Sequence, residues 1–465
     1  MNYEESVRSL YALGRELASP QQARVQKFGL ENIRVLCAAL GNPHLAAPCM
    51  HVAGTNGKGS TAAMIESILR AAGFRTGLYT SPHLERINER IRIDGDEISD
   101  EAFANAWTRV QASIESLLAS GNLAAHPTFF ECVTAMAFVA FADKARAADA
   151  KRFFAVYEVG LGGRLDSTNI VQPEVAVITP IDFDHENFLG HSIEEIAGEK
   201  AGIIKRGVPV VSAPQRPEAR AVIARRAAEC GTKLVEVTDV WRVGNLTSRD
   251  GFYRATASRA GDGVQVTIAP SLPGKFQVQN ALTAATTAFA LREGGFAITD
   301  EDVEAGISSA RWPGRLERLS GPPSGRAAIY LDGAHNPAAA RELKTFWEEN
   351  FAGRRIHLIY GAMRDKAVDE VAGLLFPMAE NVILTQPQQS RAISAQHLAE
   401  IVAGLARHAD VVRDPARALE RAIADAGPND VIFVTGSLFL VGDIRRYWLK
   451  RGEQGSSASA SNPQR

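Results

Sequence analysis

A short apolar strand, a glycine-rich loop and a helix follow one another between residues 50 and 73, and this order constrains the fold more than any other feature. Apolar residues recur at helical spacing after the loop, and Gly73 is a typical helix stop. Glycines let backbone N–H groups turn towards an anion, and the helix N-terminus adds the positive end of its dipole. The pattern therefore predicts a phosphate-binding loop in an α/β domain, made of Gly54, Thr55, Asn56, Gly57, Lys58, Gly59, Ser60 and Thr61.

The spacing of this loop differs from the common phosphate-binding pattern G-x-x-x-x-G-K-[ST]. Only two residues separate its first two glycines, and a third glycine stands between Lys58 and the hydroxyl residues that follow. The alternative without function is a glycine-rich turn that carries an exposed lysine. We favour phosphate binding because strand, loop, lysine, hydroxyls and helix occur together. Lys58 would reach the outer phosphates, and Ser60 or Thr61 would support a metal or a phosphate oxygen.

The length and charge of the chain limit the function classes. Its 465 residues predict two or three domains, and 46% hydrophobic with 22% charged residues is a globular composition. A formal net charge of −2 argues against a nucleic-acid partner, which would favour a basic face. The N-terminal residues do not resemble a secretory signal, no apolar run is long enough to span a bilayer, and the four cysteines are scattered. We therefore expect a cytoplasmic protein without a membrane or nucleic-acid partner.

Two α/β domains and a tail are predicted along the chain. Between about residues 315 and 450, short apolar strands alternate with amphipathic helices, which predicts right-handed βαβ units and a Rossmann-like parallel sheet. Residues 1–310 form a longer α/β part, in which 233–268 alternates without intervening helices and suggests an antiparallel appendage. The join lies near residues 309–314, where a Pro-Gly pair signals a turn. Residues 452–465 are rich in Ser and Ala and are expected to form a disordered tail.

Further sequence blocks follow the loop. They read YTSPHL at 79–84, NERIRI at 88–93, TFFE at 128–131, EVGLGGRLDSTN at 158–169, DH at 184–185, EKAGIIK at 199–205, WPGR at 312–315 and LDGAHNP at 331–337. In this order they resemble the folylpolyglutamate synthase and dihydrofolate synthase/folylpolyglutamate synthase family, whose relatives are the Mur ligases of cell-wall synthesis. The resemblance covers about residues 28–442, and the short loop spacing is this family's own form. It implies a P-loop ATPase domain of Mur-ligase type at the N-terminus and a smaller Rossmann-like domain at the C-terminus.

The resemblance implies ATP-dependent formation of an amide bond. ATP would phosphorylate the carboxylate of a folate-type acid, and the amine of L-glutamate would then attack the acyl phosphate. Dihydropteroate and reduced folates are the expected acids, and activity on both is the preferred interpretation. The resemblance implies two Mg²⁺ ions, and this cation prefers hard oxygen ligands and ATP phosphates. The oligomeric state is not readable from the sequence, and a monomer is the default.

Three residues match the metal ligands of this family, namely Ser81, Glu158 and His185. Ser81 by itself would be a turn residue ahead of Pro82, and a histidine such as His185 is more often a hydrogen-bonded structural residue. Glu158 ends the apolar strand FFAVYE, where a carboxylate is costly unless it is paired or bound to a metal. A functional role is therefore favoured for Glu158, at the strand end where α/β sheets place functional groups.

Lys200 resembles a lysine that this family carbamylates, a change that converts the cation into a carboxylate able to help hold a second Mg²⁺. It lies in the apparent helix SIEEIAGEKAGIIK, and no acid shares its helix face. From residue type and spacing alone, an ordinary solvated lysine is the better interpretation, and only the motif promotes Lys200. Together with Lys58, Glu158 and His185 it completes the predicted catalytic set.

The resemblance implies four further contacts to the nucleotide outside the loop, at Asn280, Arg315, Asp332 and His335. The planar guanidinium of Arg315 suits phosphate charge. The alternative interpretation is that Arg315 is a solvated surface arginine. Asp332 follows the strand AAIYL. The alternative interpretation is that Asp332 caps the helix that begins near Asn336, a role that can coexist with binding.

The resemblance also points to three segments that would bind the pterin part of the acid. Aromatic side chains such as Phe129 and Phe130 suit a flat ring, although ordinary core packing is nearly as good an explanation. The predicted substrate-binding residues are Phe28, Gly29, Leu30, Glu31, Pro127, Thr128, Phe129, Phe130, Leu165, Asp166 and Ser167.

Two alternatives of different kinds stay open. A Mur-type ligase of a cell-wall precursor would share the loop and the mechanism, but TSPHL and the adjoining NERIRI favour a folate-type acid. A P-loop protein that hydrolyses nucleotide as a switch would ligate nothing. The choice between dihydrofolate synthase activity, folylpolyglutamate synthase activity or both is also open.

Overall fold

The computed structural model of the protein describes residues 1–14, 29–147, 152–319, 327–364 and 366–460, with the backbone alone from 452 onwards. The chain divides into two units. The first comprises Met1–His83, Ile87–Ser271 and Phe276–Arg311, and the second comprises Leu84–Arg86, Leu272–Lys275 and Trp312–Arg465. The division at 311–312 falls within the join expected at 309–314, whereas the two short segments that belong to the second unit carry no signal in the sequence.

A mainly parallel sheet runs through the first unit. Its strands are β1 (Cys49–Ala53), β2 (Arg75–Tyr79), β3 (Ile91–Ile93), β4 (Asp96–Glu97), β5 (Phe153–Glu158), β6 (Val175–Ile178), β7 (Val210–Ser212) and β8 (Leu234–Glu236). They lie in the order β4-β3-β2-β5-β1-β6-β7-β8, in which the pairs β2–β3 and β3–β4 are antiparallel and the other pairs are parallel. Every residue of β1, β5 and β6 is buried, as expected for parallel strands that are covered on both faces.

Helices connect these strands. They are α1 (Tyr3–Ala12), α2 (Glu31–Ala39), α3 (Lys58–Ala71), α4 (Asp100–Ala119), α5 (Phe129–Ala147), α6 (Glu186–Leu189), α7 (Ile193–Ala201), α8 (Pro217–Glu229), α9 (Val237–Val240), α10 (Phe276–Glu293) and α11 (Asp300–Ser309), with 3₁₀ turns at Pro43–Leu45, Ile87–Arg90 and Ser167–Ile170. Helix α3, which follows the glycine loop, packs against α10 and α11. At Gly306 of α11 a Cβ atom would overlap the backbone of Ile68, so that glycine is what allows α3 and α11 to approach this closely.

The expected antiparallel appendage is a small sheet of β9 (Trp241–Arg249), β10 (Phe252–Arg259) and β11 (Gln265–Ile268), in the order β11-β10-β9. It begins later than the sequence indicates, because β8 pairs parallel with β7 in the large sheet and α9 separates it from β9. The expectation that residues 233–240 belong to the appendage is therefore wrong.

The second unit is built on a second sheet. Its strands are β12 (Glu317–Arg318), β13 (Ala328–Leu331), β14 (Ile356–Tyr360), β15 (Asn381–Leu384), β16 (Ala409–Val411) and β17 (Val431–Thr435). Their order is β12-β13-β17-β14-β15-β16, and all except β12 pair parallel. The helices are α12 (Pro337–Asn350), α13 (Val368–Leu375), α14 (Ala395–Ile401), α15 (Pro415–Asp425) and α16 (Leu438–Ala460), with a 3₁₀ turn at Phe376–Met378. Parallel strands joined by helices confirm the predicted Rossmann-like arrangement.

Helix α16 continues to Ala460, into the segment for which the sequence predicts a disordered tail. Extending a helix is easier than nucleating one, which allows α16 to continue through these residues although several of them are Gly or Ser. None of the helices in the described ranges is both long enough and apolar enough to span a membrane.

Candidate functional site

Candidate side chains of the first unit follow the carboxyl ends of four neighbouring strands. The glycine loop follows β1, Ser81 comes two residues after β2, Glu158 ends β5, and His185 lies in the connection after β6. These strands are parallel, so their carboxyl ends share one edge of the sheet. Ligands of α/β proteins bind at such edges, especially where the strand order reverses, and β1 lies between β5 and β6 in this sheet.

The glycine loop is held tightly against the connection that follows β6. Gly54 has a φ of 148°, and a Cβ atom there would overlap the hydroxyl of Thr179. The N–H groups of Thr55 and Asn56 both donate to the carbonyl of Pro180, at 3.0 and 3.2 Å. Burial of this loop therefore depends on glycine at its first position.

Two lysines converge on one carbonyl of this loop. Lys58 Nζ donates to the carbonyl oxygens of Gly54 and Thr55, both at 3.1 Å, and Lys200 Nζ donates to the Gly54 oxygen at 2.8 Å. Lys200 is only 4% exposed. Its interpretation as a solvated lysine is therefore wrong, because α7 turns this side chain into the protein and towards the loop. A buried ammonium group is costly unless it is hydrogen-bonded, which the Gly54 carbonyl provides.

The hydroxyl residues of the loop lie at the start of α3. Ser60 is buried and its Oγ accepts a hydrogen bond from Gln277 Nε2 at 3.4 Å. Thr61 Oγ1 is buried and has no hydrogen-bond partner among the residues that the structure describes. Buried hydroxyls usually have partners, so this oxygen suits a group that the loop would bind.

Asn280 lies against the same loop from helix α10. Its Nδ2 donates to Gln277 Oε1 at 2.9 Å, and its side-chain oxygen occupies the space that a Cβ atom on Gly57 would need. Gln277 thus touches both Asn280 and Ser60, although the sequence analysis did not single it out. Its position one helical turn before Asn280 is the signal that would have found it.

Ser81 and Glu158 are brought together by neighbouring strands. The Ser81 N–H donates to Glu158 Oε2 at 3.1 Å, and Glu158 is 4% exposed. His185 has a φ of 51°, and its ring lies 3.9 Å from the carboxylate of Asp184. Within the described ranges, His, Cys, Asp and Glu side chains form no group of three or more that is spaced for a metal ion. A metal site here would need the hydroxyl of Ser81 or a further group in addition to Glu158 and His185.

Thr128 and Phe129, two of the predicted pterin-binding residues, have structural roles at the start of α5. Glu131 Oε2 accepts hydrogen bonds from the Thr128 N–H at 2.7 Å and from the Thr128 hydroxyl at 2.8 Å, which closes a helix cap. Phe129 is 5% exposed and belongs to the apolar core, as its alternative interpretation states. Phe130 is only half-buried, and a Cβ atom on Gly160 would overlap its ring. Pro127, which precedes this cap, is buried.

Asp166 organises the glycine-rich segment after β5. Its carboxylate accepts hydrogen bonds from the N–H groups of Gly160 and Leu161, at 3.0 and 2.9 Å, and from the N–H and hydroxyl of Thr168. Burial raises the pKa of Asp166, and these four donors act in the opposite direction. Since its oxygens are engaged within the loop, Asp166 supports the shape of the segment that also contains Leu165 and Ser167.

The remaining predicted pterin residues precede α2. Phe28 lies outside the described residues. Gly29 and Glu31 are exposed, and Leu30 packs against the apolar core of the first unit. Gly29, Leu30 and Glu31 therefore show no buried polar arrangement of their own.

Arg315, Asp332 and His335 come together in the second unit. Asp332 is 6% exposed, and its carboxylate accepts the N–H groups of Leu316 and Ala334 at 3.0 and 2.9 Å. Burial raises the pKa of Asp332, whereas the Arg315 charge, these N–H groups and His335 lower it. His335 Nδ1 donates to the Gly333 carbonyl at 2.7 Å.

The alternative that Asp332 caps the following helix is wrong. The cap of α12 is Asn336, whose side chain accepts a hydrogen bond from the Ala339 N–H at 2.9 Å. Arg315 is half-buried, which also disagrees with its alternative as a solvated surface arginine. Asp332, in the same loop as His335, thus holds the backbone before β12 and after β13 through its carboxylate.

We predict that Gly57→Ala weakens binding of ADP or of a non-hydrolysable ATP analogue at least about ten-fold, measured by isothermal titration calorimetry. Gly57 has a φ of 82°, and its new Cβ atom would overlap Asn280 Oδ1 beside the phosphate loop.

Gly73→Ala at the other end of α3 is the matched control, because Gly73 has the same φ of 82° but no atom within 4 Å of the added Cβ. Both variants should lose stability through backbone strain, but only Gly57→Ala should lose nucleotide affinity. Unchanged nucleotide affinity in Gly57→Ala would contradict the assignment of this loop.

Comparison with known proteins agrees with this geometry. The sequence matches the family "Mur ligase middle domain" over residues 52–288 and "Mur ligase, glutamate ligase domain" over residues 314–438. The dihydrofolate synthase/folylpolyglutamate synthase of Bacillus subtilis is 37% identical over 424 residues, which cover 90% of this chain and 95% of the relative.

Solved structures show the same relationship. The folylpolyglutamate synthase of Mycobacterium tuberculosis, complexed with ADP and AMPPCP, superposes with a TM-score of 0.83 at 30% identity, covering 95% of this chain and 99% of that one. E. coli FolC in complex with DHPP and ADP superposes with a TM-score of 0.80 at 30% identity, covering 97% and 99%. The chain therefore belongs to the Mur ligase family and, within it, to the dihydrofolate synthase/folylpolyglutamate synthase group.

Proposed function

We propose that the protein uses ATP to join L-glutamate through an amide bond to a folate-type carboxylic acid, either dihydropteroate, a folate that already carries glutamate, or both. The observation that carries this proposal is the convergence of the glycine loop, Lys58, Lys200 and the buried Glu158 at one edge of a parallel sheet. The relatives named above act as dihydrofolate and folylpolyglutamate synthases, and E. coli FolC was solved with DHPP and ADP. We further expect a monomeric, cytoplasmic enzyme.

The reaction needs activation because a carboxylate is a poor electrophile. In the first step an oxygen of the acid carboxylate attacks the γ-phosphorus of ATP, ADP leaves, and an acyl phosphate forms. In the second step the neutral amine of L-glutamate attacks the acyl carbon, and the tetrahedral intermediate expels phosphate while the nitrogen loses its proton. Holding both reactants in place and excluding water favours amide formation over hydrolysis.

In this proposal, residues of the first unit bind the phosphates of ATP. The ammonium group of Lys58, which lies on loop carbonyls in this structure, would turn to the outer phosphates. The backbone N–H groups at the start of α3 and the hydroxyl of Thr61 would donate to phosphate oxygens. Asn280 would contact the nucleotide beside the loop, and Arg315, Asp332 and His335 are the nucleotide contacts proposed for the second unit.

The buried carboxylate of Glu158 and the neighbouring Ser81 provide hard oxygen ligands that fit Mg²⁺, and His185 is the third ligand that we propose. Bound there, Mg²⁺ would neutralise phosphate charge. A cation at this position would balance the charge of this buried carboxylate.

Lys200 is proposed as a second source of negative charge after carbamylation. After the ammonium group loses a proton, its neutral amine adds carbon dioxide: an N–C bond forms, a second proton is released, and a carboxylate replaces the cation. Its side chain lies beside the loop carbonyl of Gly54, where such a carboxylate would help to hold a second Mg²⁺.

We predict phosphate release from ATP only when L-glutamate is present together with dihydropteroate or tetrahydrofolate. Assaying the two acids separately decides between one activity and two. Turnover with a UDP-muramyl substrate alone would instead identify a cell-wall ligase, and phosphate release that is independent of L-glutamate would identify a nucleotide-hydrolysing switch.

Lys58→Ala and Glu158→Ala should each lower ligation at least about 100-fold, because each removes a charge proposed to act on the phosphates. Lys144→Ala and Glu115→Ala are the matched controls, since both residues are exposed on helices away from the sheet edge, and they should ligate normally. Circular dichroism checks that all four variants are folded. Near-normal turnover in either site variant would contradict its assigned role.

We predict that protein equilibrated with ¹³C-bicarbonate shows a carbamate signal by ¹³C NMR, and that Lys200→Ala removes this signal. Lys58→Ala serves as the control and should retain it, which separates modification from activity. A wild-type spectrum without a carbamate signal, or a signal that persists in Lys200→Ala, would overturn the proposal for Lys200.

A further inference from the structure

A pocket of the second unit is formed by residues that have no role in the reaction proposed above. It has a volume of about 490 Å³ and is lined by residues of 386–389, which follow β15, and of 412–417, which follow β16 and begin α15. We call it the Arg413 pocket. Because β15 and β16 pair parallel, both segments lie at the carboxyl edge of the second sheet. Ligands of α/β proteins bind at such edges, and this volume is typical of small-molecule sites.

Hydrogen bonds fix the two sides of the Arg413 pocket to each other. The carbonyl oxygen of Arg413 accepts the Gln386 N–H at 3.2 Å and the Thr385 hydroxyl at 3.1 Å. The Gln388 N–H donates to Asp443 Oδ2 of α16 at 2.8 Å. The shape of the pocket is therefore set by backbone groups that β15, β16 and α16 hold in place.

Two guanidinium groups line the Arg413 pocket without a counter-charge. Arg413 and Arg417 are exposed, and neither forms an ion pair with any other residue of the described ranges. Arg421, one helical turn after Arg417, is by contrast paired with Asp425. The lining also includes Asp414, but its carboxylate caps α15 by accepting the Arg417 N–H at 2.9 Å. The pocket therefore offers two free cationic groups to a ligand.

The other lining residues are apolar or carry neutral amides. Pro387 and Pro415 are buried, Val412 is half-buried, and Gln386 and Gln388 add side-chain amides. A guanidinium group binds a carboxylate through two parallel hydrogen bonds, whereas proline and valine suit methylene groups. The pocket thus fits an extended ligand in which carboxylates alternate with short apolar stretches.

The proposed reaction makes a chain of this chemistry. L-Glutamate has one amine and two carboxylates, so each amide bond uses one carboxylate of the acceptor and adds two. Every further glutamate therefore leaves one more free carboxylate on the acid, with methylene groups between successive carboxylates. A polyphosphate would also match the two guanidinium groups, but it has no apolar part to place against Val412 and the prolines.

We propose that the Arg413 pocket binds the glutamate chain of a folate that already carries several glutamates, through Arg413 and Arg417, and that it thereby raises the affinity for such acids. This inference rests on the proposed function. It deepens that function by assigning a site to the part of the acid that grows with each reaction.

The first test is isothermal titration calorimetry of the full chain with tri-γ-glutamate, free L-glutamate and tripolyphosphate. We expect tri-γ-glutamate to bind at least about ten-fold more tightly than either of the other two ligands. The double variant Arg413→Ala/Arg417→Ala should weaken binding of tri-γ-glutamate at least about ten-fold, the scale of lost hydrogen bonds between charged groups.

The second test compares KM values for acids that differ in chain length. For tetrahydrofolate with four glutamates, the double variant should raise the KM roughly 5- to 20-fold. For dihydropteroate, which carries no glutamate, the KM should stay within about two-fold of the wild-type value. The KM for ATP should also be unchanged, because the pocket is proposed to hold only the glutamate chain.

Arg407→Ala is the matched control. Arg407 is likewise exposed and forms no ion pair within the described part of the chain. It precedes β16 by two residues, whereas Arg413 follows β16 by two, so the two arginines lie at opposite ends of this strand. Arg407→Ala removes the same charge from the second unit and should change neither the calorimetry nor the KM values.

Three results would overturn the inference about the Arg413 pocket. Equal affinity for tri-γ-glutamate and free L-glutamate would indicate a site for a single amino acid, and equal affinity for tripolyphosphate would indicate a general anion site. An equal loss in Arg407→Ala and in the double variant would indicate an effect of net charge alone. A wild-type protein that ligates L-glutamate to no folate-type acid would instead overturn the proposed function, whatever the calorimetry shows.

Discussion

The backbone carbonyl of Gly54 accepts hydrogen bonds from both Lys58 and Lys200, and the site of the first unit depends on this shared contact. Lys58 begins the helix after β1, whereas Lys200 lies near the end of α7, 146 residues further along the chain than Gly54. A buried ammonium group needs a strong acceptor, and a loop carbonyl turned inwards by a left-handed glycine supplies one. The conformation of the loop and the burial of Lys200 therefore require each other.

The site also depends on glycines that lie in close contact with neighbouring residues. Gly54 meets Thr179, Gly57 meets Asn280 and Gly160 meets Phe130, each at a distance that leaves no space for a Cβ atom. Positive charge is gathered at the loop, while the carboxylate of Glu158 stands at the end of the neighbouring strand. A site with cationic and anionic groups on adjacent strand ends suits a reaction that must neutralise phosphate and bind a metal cation together.

Much of this organisation could be predicted from the sequence. The phosphate loop, the alternation of strands and helices and the ordered blocks predict the α/β fold and the family, and the fold and the comparisons confirm both. These signals are local, since helical periodicity, glycine turns and motif spacing are readable within a few residues.

The errors arose where long-range packing decides the outcome. The sequence favours a solvated Lys200 because helical spacing reveals only its neighbours on the same helix. The carbonyl that Lys200 contacts is distant in the sequence. The cap of α12 is a local exception: Asn336, and not Asp332, accepts the hydrogen bond from the Ala339 N–H, and an asparagine directly before Pro337 is itself a local signal for a cap. The cap formed by Thr128 and Glu131 has the same local signature, a threonine followed three residues later by a glutamate.

The transfer of oxygen from the acid to phosphate tests the central claim most directly. Dihydropteroate or tetrahydrofolate labelled with ¹⁸O in the reacting carboxylate is incubated with ATP, L-glutamate and the protein, and the released phosphate is analysed by mass spectrometry. Ligation through an acyl phosphate predicts that one labelled oxygen appears in each phosphate released, because the carboxylate oxygen that attacks the γ-phosphorus leaves with it. Phosphate without the label, formed at the same rate as the amide product, would contradict the account.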